Sequence, residues 1–95
     1  MAYEWHTPKA ISNLAKHGVS FAEAQTAFDD PLQYNEPDYA HSIGEARFLC
    51  IGVSEQCRLL TVSYTERPNN QTRIISARLA TKAERQLYES QSDFA

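Results

Sequence analysis

Arg58-Leu59-Leu60-Thr61-Val62-Ser63-Tyr64-Thr65-Glu66-Arg67 is the stretch whose reading decides the fold. Leu60, Val62 and Tyr64 alternate with Thr61, Ser63 and Thr65, which is the period of two expected of a strand with one buried and one polar face. Similar runs rich in Ile, Val, Thr and Phe lie at residues 47–53 and 72–79, set off by Ser54-Glu55-Gln56 and Pro68-Asn69-Asn70. Strands at residues 47–53, 58–66 and 72–79 with these connections suit an antiparallel meander. The third carries Arg73 on one side of its alternation and Arg78 on the other, so its facing is ambiguous. In one of the two facings Arg78 shares the polar face with Arg67.

Outward from this meander the chain turns helical. Residues 3–5 read as a short strand, then Thr7 as N-cap with Pro8 at the first helical position, where its missing N–H costs nothing. Ile11, Leu14 and Ala15, with Ala10 beside them, keep the spacing of one buried helix face, and Gly18 after Lys16 and His17 is a left-handed stop. Ser20 and Glu23 form a capping box for a second helix, with Phe21, Ala24 and Phe28 on one side, ended by Asp29-Asp30-Pro31. Residues 33–45 read as a polar loop. Thr81 and Glu84 make a further capping box, and Ala80, Ala83 and Leu87 continue an apolar face with Tyr88 at its edge. The expected fold is α+β in the order β-α-α-β-β-β-α, a small twisted antiparallel sheet with helices packed on one face.

Ninety-five residues allow one core, and 42% hydrophobic with 22% charged residues is the composition of a globular domain. A single domain over 1–95 is expected, fraying after Tyr88. The net charge of −3 argues against bulk coating of nucleic acid, but the charge is unevenly spread. Residues 1–57 hold three Lys/Arg against eight Asp/Glu, a balance of −5, whereas residues 58–82 hold five against one, a balance of +4. Any polyanion is expected to meet the stretch from Arg58 to Arg85. Lys82 and Arg85 share their helix with Glu84 and Glu89, so a DNA recognition helix is not indicated. Cys50 and Cys57 lack partners for a metal set and read as packing residues or free thiols; neither metal nor cofactor is expected. No apolar run reaches membrane-spanning length and the first residues lack a basic n-region, so a cytoplasmic location is expected.

Tyr3-Glu4-Trp5, Asn13-Leu-Ala-Lys-His-Gly-Val-Ser-Phe21, Phe28-Asp-Asp-Pro31, Tyr64-Thr-Glu-Arg67 and Arg73-Ile-Ile-Ser-Ala-Arg78, followed by Glu84 and Tyr88, occur in an order and spacing that resemble the BrnT family of toxins. The resemblance runs from about Tyr3 to Glu89. It implies a RelE-like fold, ribonuclease activity that arrests growth, and neutralisation by a BrnA-type antitoxin carrying a ribbon-helix-helix domain. It also implies that the complex represses its own operon, so the toxin meets DNA only through the antitoxin. A dimer, or a heterotetramer with the antitoxin, is the assembly left open.

Metal-free RNA cleavage through the 2′-hydroxyl needs a base, an acid, and fixed positive charge where the phosphorane develops. Guanidinium groups fork onto phosphate oxygens, so Arg67 and Arg78 are the first candidates for clamps, with Arg73 and Arg58 next as RNA contacts. His17 has the chemistry of a proton carrier, although its place beside Gly18 is also that of a helix cap. Lys16, in the same last turn, is an RNA contact candidate. Glu84 is a candidate base that its capping box also accounts for. Tyr64 and Tyr88 are able to stack on bases, but Tyr64 shares its side with Leu60 and Val62 and reads as core, as does Trp5. Asp29 and Asp30 read as a helix stop rather than a metal pair, and His41 with Glu36, Asp38 and Glu45 as solvated surface. The competing reading is a binding module that docks an antitoxin-like partner without cleaving RNA.

Overall fold

Asn13 is the side chain that seats the first helix, and it is polar. In the computed structural model, which describes residues 2–92, helix α1 (Thr7–His17) turns Ala10, Asn13 and His17 inward, while Ile11 and Leu14 are 66% and 51% exposed. The Asn13 amide donates to the carbonyls of Ala77 and Val19, both at 2.9 Å, and accepts from Ala77 N–H at 3.1 Å. It thus completes the backbone bonding of a strand residue, as a neighbouring strand would. This corrects the expected burial of the Ile11, Leu14 and Ala15 face. The helix begins at Thr7 with His6 as N-cap, one residue earlier than expected, and ends on Gly18 at φ 69°, whose N–H reaches Leu14 O at 2.9 Å.

Helix α2 (Phe21–Ala27) starts as expected, with Ser20 Oγ accepting from Glu23 N–H at 3.0 Å. The Glu23 carboxylate does not reciprocate; it turns inward to Arg58.

The sheet has five strands: β1 (Ala2–Glu4), β2 (Tyr34–Pro37), β3 (Phe48–Val53), β4 (Leu59–Arg67) and β5 (Gln71–Leu79), in the spatial order β1-β5-β4-β3-β2. The meander β3-β4-β5 is antiparallel, as read from the sequence. Two features differ. β1 joins β5 in parallel, Tyr3 beside Thr72, so the sheet is mixed. The polar loop supplies an edge strand, β2, and a 3₁₀ turn at Tyr39–His41. Alternation is too short in Tyr34–Pro37 to register in the sequence, and Pro37 belongs only on an edge.

Leu60, Val62 and Tyr64 of β4, Cys50 of β3 and Ile74 and Ala77 of β5 form one core with Val19, Phe21, Ala24 and Ala27 beneath α1 and α2. Rings knit it together: Phe28 meets Tyr64 edge-on with centroids 5.1 Å apart, and Phe48 stacks on Tyr64 at 5.6 Å. Tyr64 is therefore core, its hydroxyl donating to Asn35 at 2.8 Å. Gly52 lets β3 approach α2, since a Cβ there would lie 2.6 Å from the Ala27 carbonyl oxygen.

Helix α3 (Lys82–Ser92) departs from the one-sided arrangement. Thr61 and Arg78 are register partners on the face opposite Leu60 and Val62, and Glu84 of α3 bonds to both. The helix therefore starts over this second face and packs on toward β3 and β2. Its inward side chains are Glu84, Tyr88 and Gln91, not Ala83 and Leu87. Asp30 anchors it by accepting from Tyr88 Oη at 2.6 Å and from Val53 N–H at 2.9 Å. Helix continues through Ser92, where fraying was expected after Tyr88; residues 93–95 lie outside the described residues. Among the described residues no helix is long and apolar enough to cross a membrane.

Candidate nucleic-acid interface

The second face carries the arginines. β4 presents Thr61, Ser63 and Thr65 there, and their register partners on β5 include Arg78, Ser76 and Arg73. Phe48 points into the core beside Tyr64, so the preceding Arg47 falls on the second face. Arg67 ends the row six residues beyond Thr61, roughly 20 Å along the strand. Arg67 and Arg78 thus share the face but stand too far apart to grip one phosphate.

Around Arg78 the surface hollows into a cleft of about 310 Å³. Leu49, Thr61 and Ser63 form its floor; Ile75, Ser76 and Arg78 one wall; Asp38, His41 and Arg47 the other. Backbone and hydroxyl bonds fix this second wall. Asp38 N–H donates to Arg47 O at 2.8 Å, Ser42 Oγ donates to Asp38 O at 2.6 Å, and Arg47 N–H donates to Ser42 Oγ at 3.0 Å. His41 Nδ1 lies 2.9 Å from Asp38 Oδ2.

Each guanidinium on this face has a carboxylate near it. Arg78 makes a two-pronged pair with Glu84, at 2.6 and 2.9 Å. Glu45 lies 3.7 Å from Arg47 Nε and 3.8 Å from Arg67, and Glu4 lies 3.6 Å from Arg73. Those three contacts are too long to count as hydrogen bonds. The Nε of Arg47 is buried and makes none, so the longer ion pair with Glu45 is its polar contact.

Glu84 is not placed to act as a base. Its carboxylate is bonded first by Arg78, then by Thr81 N–H and Thr61, and despite burial its pKa falls to about 2. A group so weakly basic takes a proton poorly at neutral pH. Its role is to aim Arg78 while completing the capping box, Thr81 N–H donating to Oε1 at 2.9 Å and Glu84 N–H to Thr81 Oγ1 at 3.2 Å. Tyr88 is unsuited for the opposite reason: burial, then its bond to Asp30, pushes its pKa up to about 12.

Arg58 lies away from this face. Its guanidinium pairs with the buried Glu23, donating from Nε at 2.9 Å and also reaching Oε1, and it donates to the Gly18 carbonyl at 3.1 Å. Ser54 Oγ donates to the same carboxylate at 2.7 Å. The expected RNA contact is thus a fastener between β4 and the α1–α2 turn. His17 and Lys16 line a separate hollow with Lys9 and Ser12, and it shares only Ile75 and Ser76 of β5 with the cleft. His17 does not reach Arg78's side of the strand.

Sequence reasoning passed over Arg47 and read His41 and Asp38 as solvated surface. The available signal was Asp38-x-x-His41, which places an imidazole one turn from a carboxylate, followed closely by Glu45-x-Arg47. Among the described residues no group of three or more His, Cys, Asp or Glu is arranged to hold a metal ion.

A small mixed sheet, with α1 and α2 on one face and an arginine-lined cleft on the other, defines the class. The family model described as ribonuclease toxin, BrnT, of type II toxin-antitoxin system matches residues 5–84, and the chain belongs to that family. It is also similar to the crystal structure of the Brucella abortus ribonuclease toxin, BrnT, with a TM-score of 0.66 and 24% sequence identity, covering 86% of this chain and 100% of that one. That likeness shows that the two chains share an α+β fold. No curated protein sequence matches significantly.

Proposed function

We propose that this chain is a growth-arresting ribonuclease toxin that cleaves RNA at the second-face cleft without a metal ion, and that a BrnA-type ribbon-helix-helix antitoxin neutralises it. The complex of the two would repress their operon, with DNA contacted by the antitoxin. The observation that carries the reading is that two guanidinium side chains, Arg47 and Arg78, line one cleft on the polar face of the sheet. A phosphodiester seated between the two arginines receives fixed positive charge where the phosphorane forms. Arg73 and Arg67 continue the row and suit the flanking phosphates, while Lys16 and His17 lie across the β5 edge.

The test is cleavage of total cellular RNA by purified protein in the presence of EDTA, with Arg78→Ala and Arg47→Ala beside it. Each variant should lose roughly 10²- to 10³-fold in rate, as removal of a transition-state donor does elsewhere. Both variants retaining full rate while folded would place the site elsewhere. The binding-module reading draws support from the carboxylates that face each arginine, above all Glu84 on Arg78, because they offset the charge offered to RNA. It predicts complex formation with antitoxin and no cleavage under any condition.

A further inference from the structure

The cleft holds one more arrangement of chemical consequence, and it concerns the proton. We propose that His41, oriented by Asp38, is the base that removes the 2′-hydroxyl proton during RNA cleavage; this rests on the ribonuclease reading above.

Asp38 Oδ2 lies 2.9 Å from His41 Nδ1, and an ionised carboxylate only accepts hydrogen bonds. The proton of the neutral ring is therefore assigned to Nδ1, and Nε2 keeps its lone pair. The imidazole stands at the wall of the cleft across from Arg78, on the short turn whose ends Ser42 and Arg47 pin. The charged groups that face it there are Asp38, Arg47 and Arg78.

The other candidates for the proton are poorer. Glu84, near pKa 2, is spent on Arg78, and the Tyr64 and Tyr88 hydroxyls, near 12, are committed to Asn35 and Asp30. His17 lies on the other side of β5. Imidazole is the side-chain type that ordinarily exchanges a proton near neutrality, and within the cleft lining His41 supplies it.

The step balances without another reactant. Nε2 takes the proton as the 2′-oxygen bonds to phosphorus and the bond from phosphorus to the 5′-oxygen breaks. A water molecule gives the 5′-oxygen its proton and is restored by the imidazolium. The products are a 2′,3′-cyclic phosphate and a 5′-hydroxyl, with Arg47 and Arg78 balancing the phosphoryl charge.

The test uses the full chain and an oligoribonucleotide spanning a site that the wild type cuts in total RNA. Single-turnover rates and binding are measured from pH 5 to 9 for wild type, His41→Ala and Asp38→Asn, each checked for folding by circular dichroism. His41→Ala should cut about 10²- to 10⁴-fold more slowly at unchanged affinity, lose the rising limb of the pH profile, and recover part of its rate in added imidazole. Asp38→Asn, a change in a positioning residue, should slow the reaction less and gain nothing from imidazole. An unchanged rate and pH limb in His41→Ala overturns the proposal while leaving the ribonuclease reading intact. Loss of rate with loss of affinity and no imidazole recovery also overturns it, assigning His41 to the loop's structure. If the wild type cuts no RNA, the ribonuclease reading falls and this step with it.

Discussion

Replacing Asn13 by alanine should cost far more than replacing the leucine beside it, although hydrophobic patterning ranks the two the other way. Asn13 is 7% exposed, and its amide makes three hydrogen bonds, two of them to the backbone of Ala77 in β5. Each such bond contributes about 1 kcal/mol net, and a buried partner left unpaired costs about 1 to 3 kcal/mol. Water entering from the neighbouring surface hollow at His17 and Ser76 should recover part of that. The loss is thus about 3 kcal/mol, a large share of the roughly 5 to 15 kcal/mol of a small domain. At about 4 to 8 °C per kcal/mol, the melting temperature should fall by roughly 15 °C. Leu14→Ala removes a side chain already 51% exposed and should change stability by less than about 0.5 kcal/mol. Urea titrations with thermal melts of wild type and both variants measure the two losses. Asn13→Asp provides a further check: it keeps one acceptor and removes both donated bonds, so it should melt no higher than Asn13→Ala. A larger loss for Leu14→Ala than for Asn13→Ala would refute the seating of α1 described above.

Three other outcomes are expected. The Glu84 pKa is depressed in the folded chain, so its contribution is complete above the ordinary carboxylate range and lost as pH falls through about 2. With screening of the partly exposed Arg78 partner, that contribution is about 1 to 2 kcal/mol, and the stability gap between wild type and Glu84→Gln should narrow as pH falls from about 5 and close below about 2 in acid titrations. Arg58→Ala should lower the melting temperature by stranding the Glu23 carboxylate, yet leave the salt dependence of RNA binding unchanged; a shallower salt slope would return Arg58 to the RNA surface. Gly52→Ala should destabilise by about 1 to 3 kcal/mol in denaturant titrations, because its new methyl meets the fixed Ala27 carbonyl.

The candidate site was legible in the sequence only where a residue's role depended on its own strand. Alternation in β4 put Arg67 on the polar face, but the Arg73 and Arg78 parities conflicted. An irregularity between Ser63 and Tyr64 resolves the conflict: Ser63 faces Ser76 whereas Tyr64 faces Ile74, so Ile75 is extra and both arginines emerge on one side. Arg58, chosen for its charge, proved to belong to Glu23, 35 positions away. His41 and Asp38 looked like solvated loop because the polar loop has no periodicity of its own, and their value comes from the arginines placed opposite.

By itself the sequence determined the α+β class, the three central strands, the Gly18 stop, the Ser20 cap and the Thr81–Glu84 box. These are set by bonds that span three or four residues or by the period of a single strand. Tertiary structure alone decided that β1 lies parallel to β5, that α3 crosses the second face, that Asn13 rather than Leu14 is buried, and that His41 stands across a cleft from Arg78. Each of those depends on groups far apart in the chain satisfying one another's hydrogen bonds or charge, a requirement that local pattern does not encode.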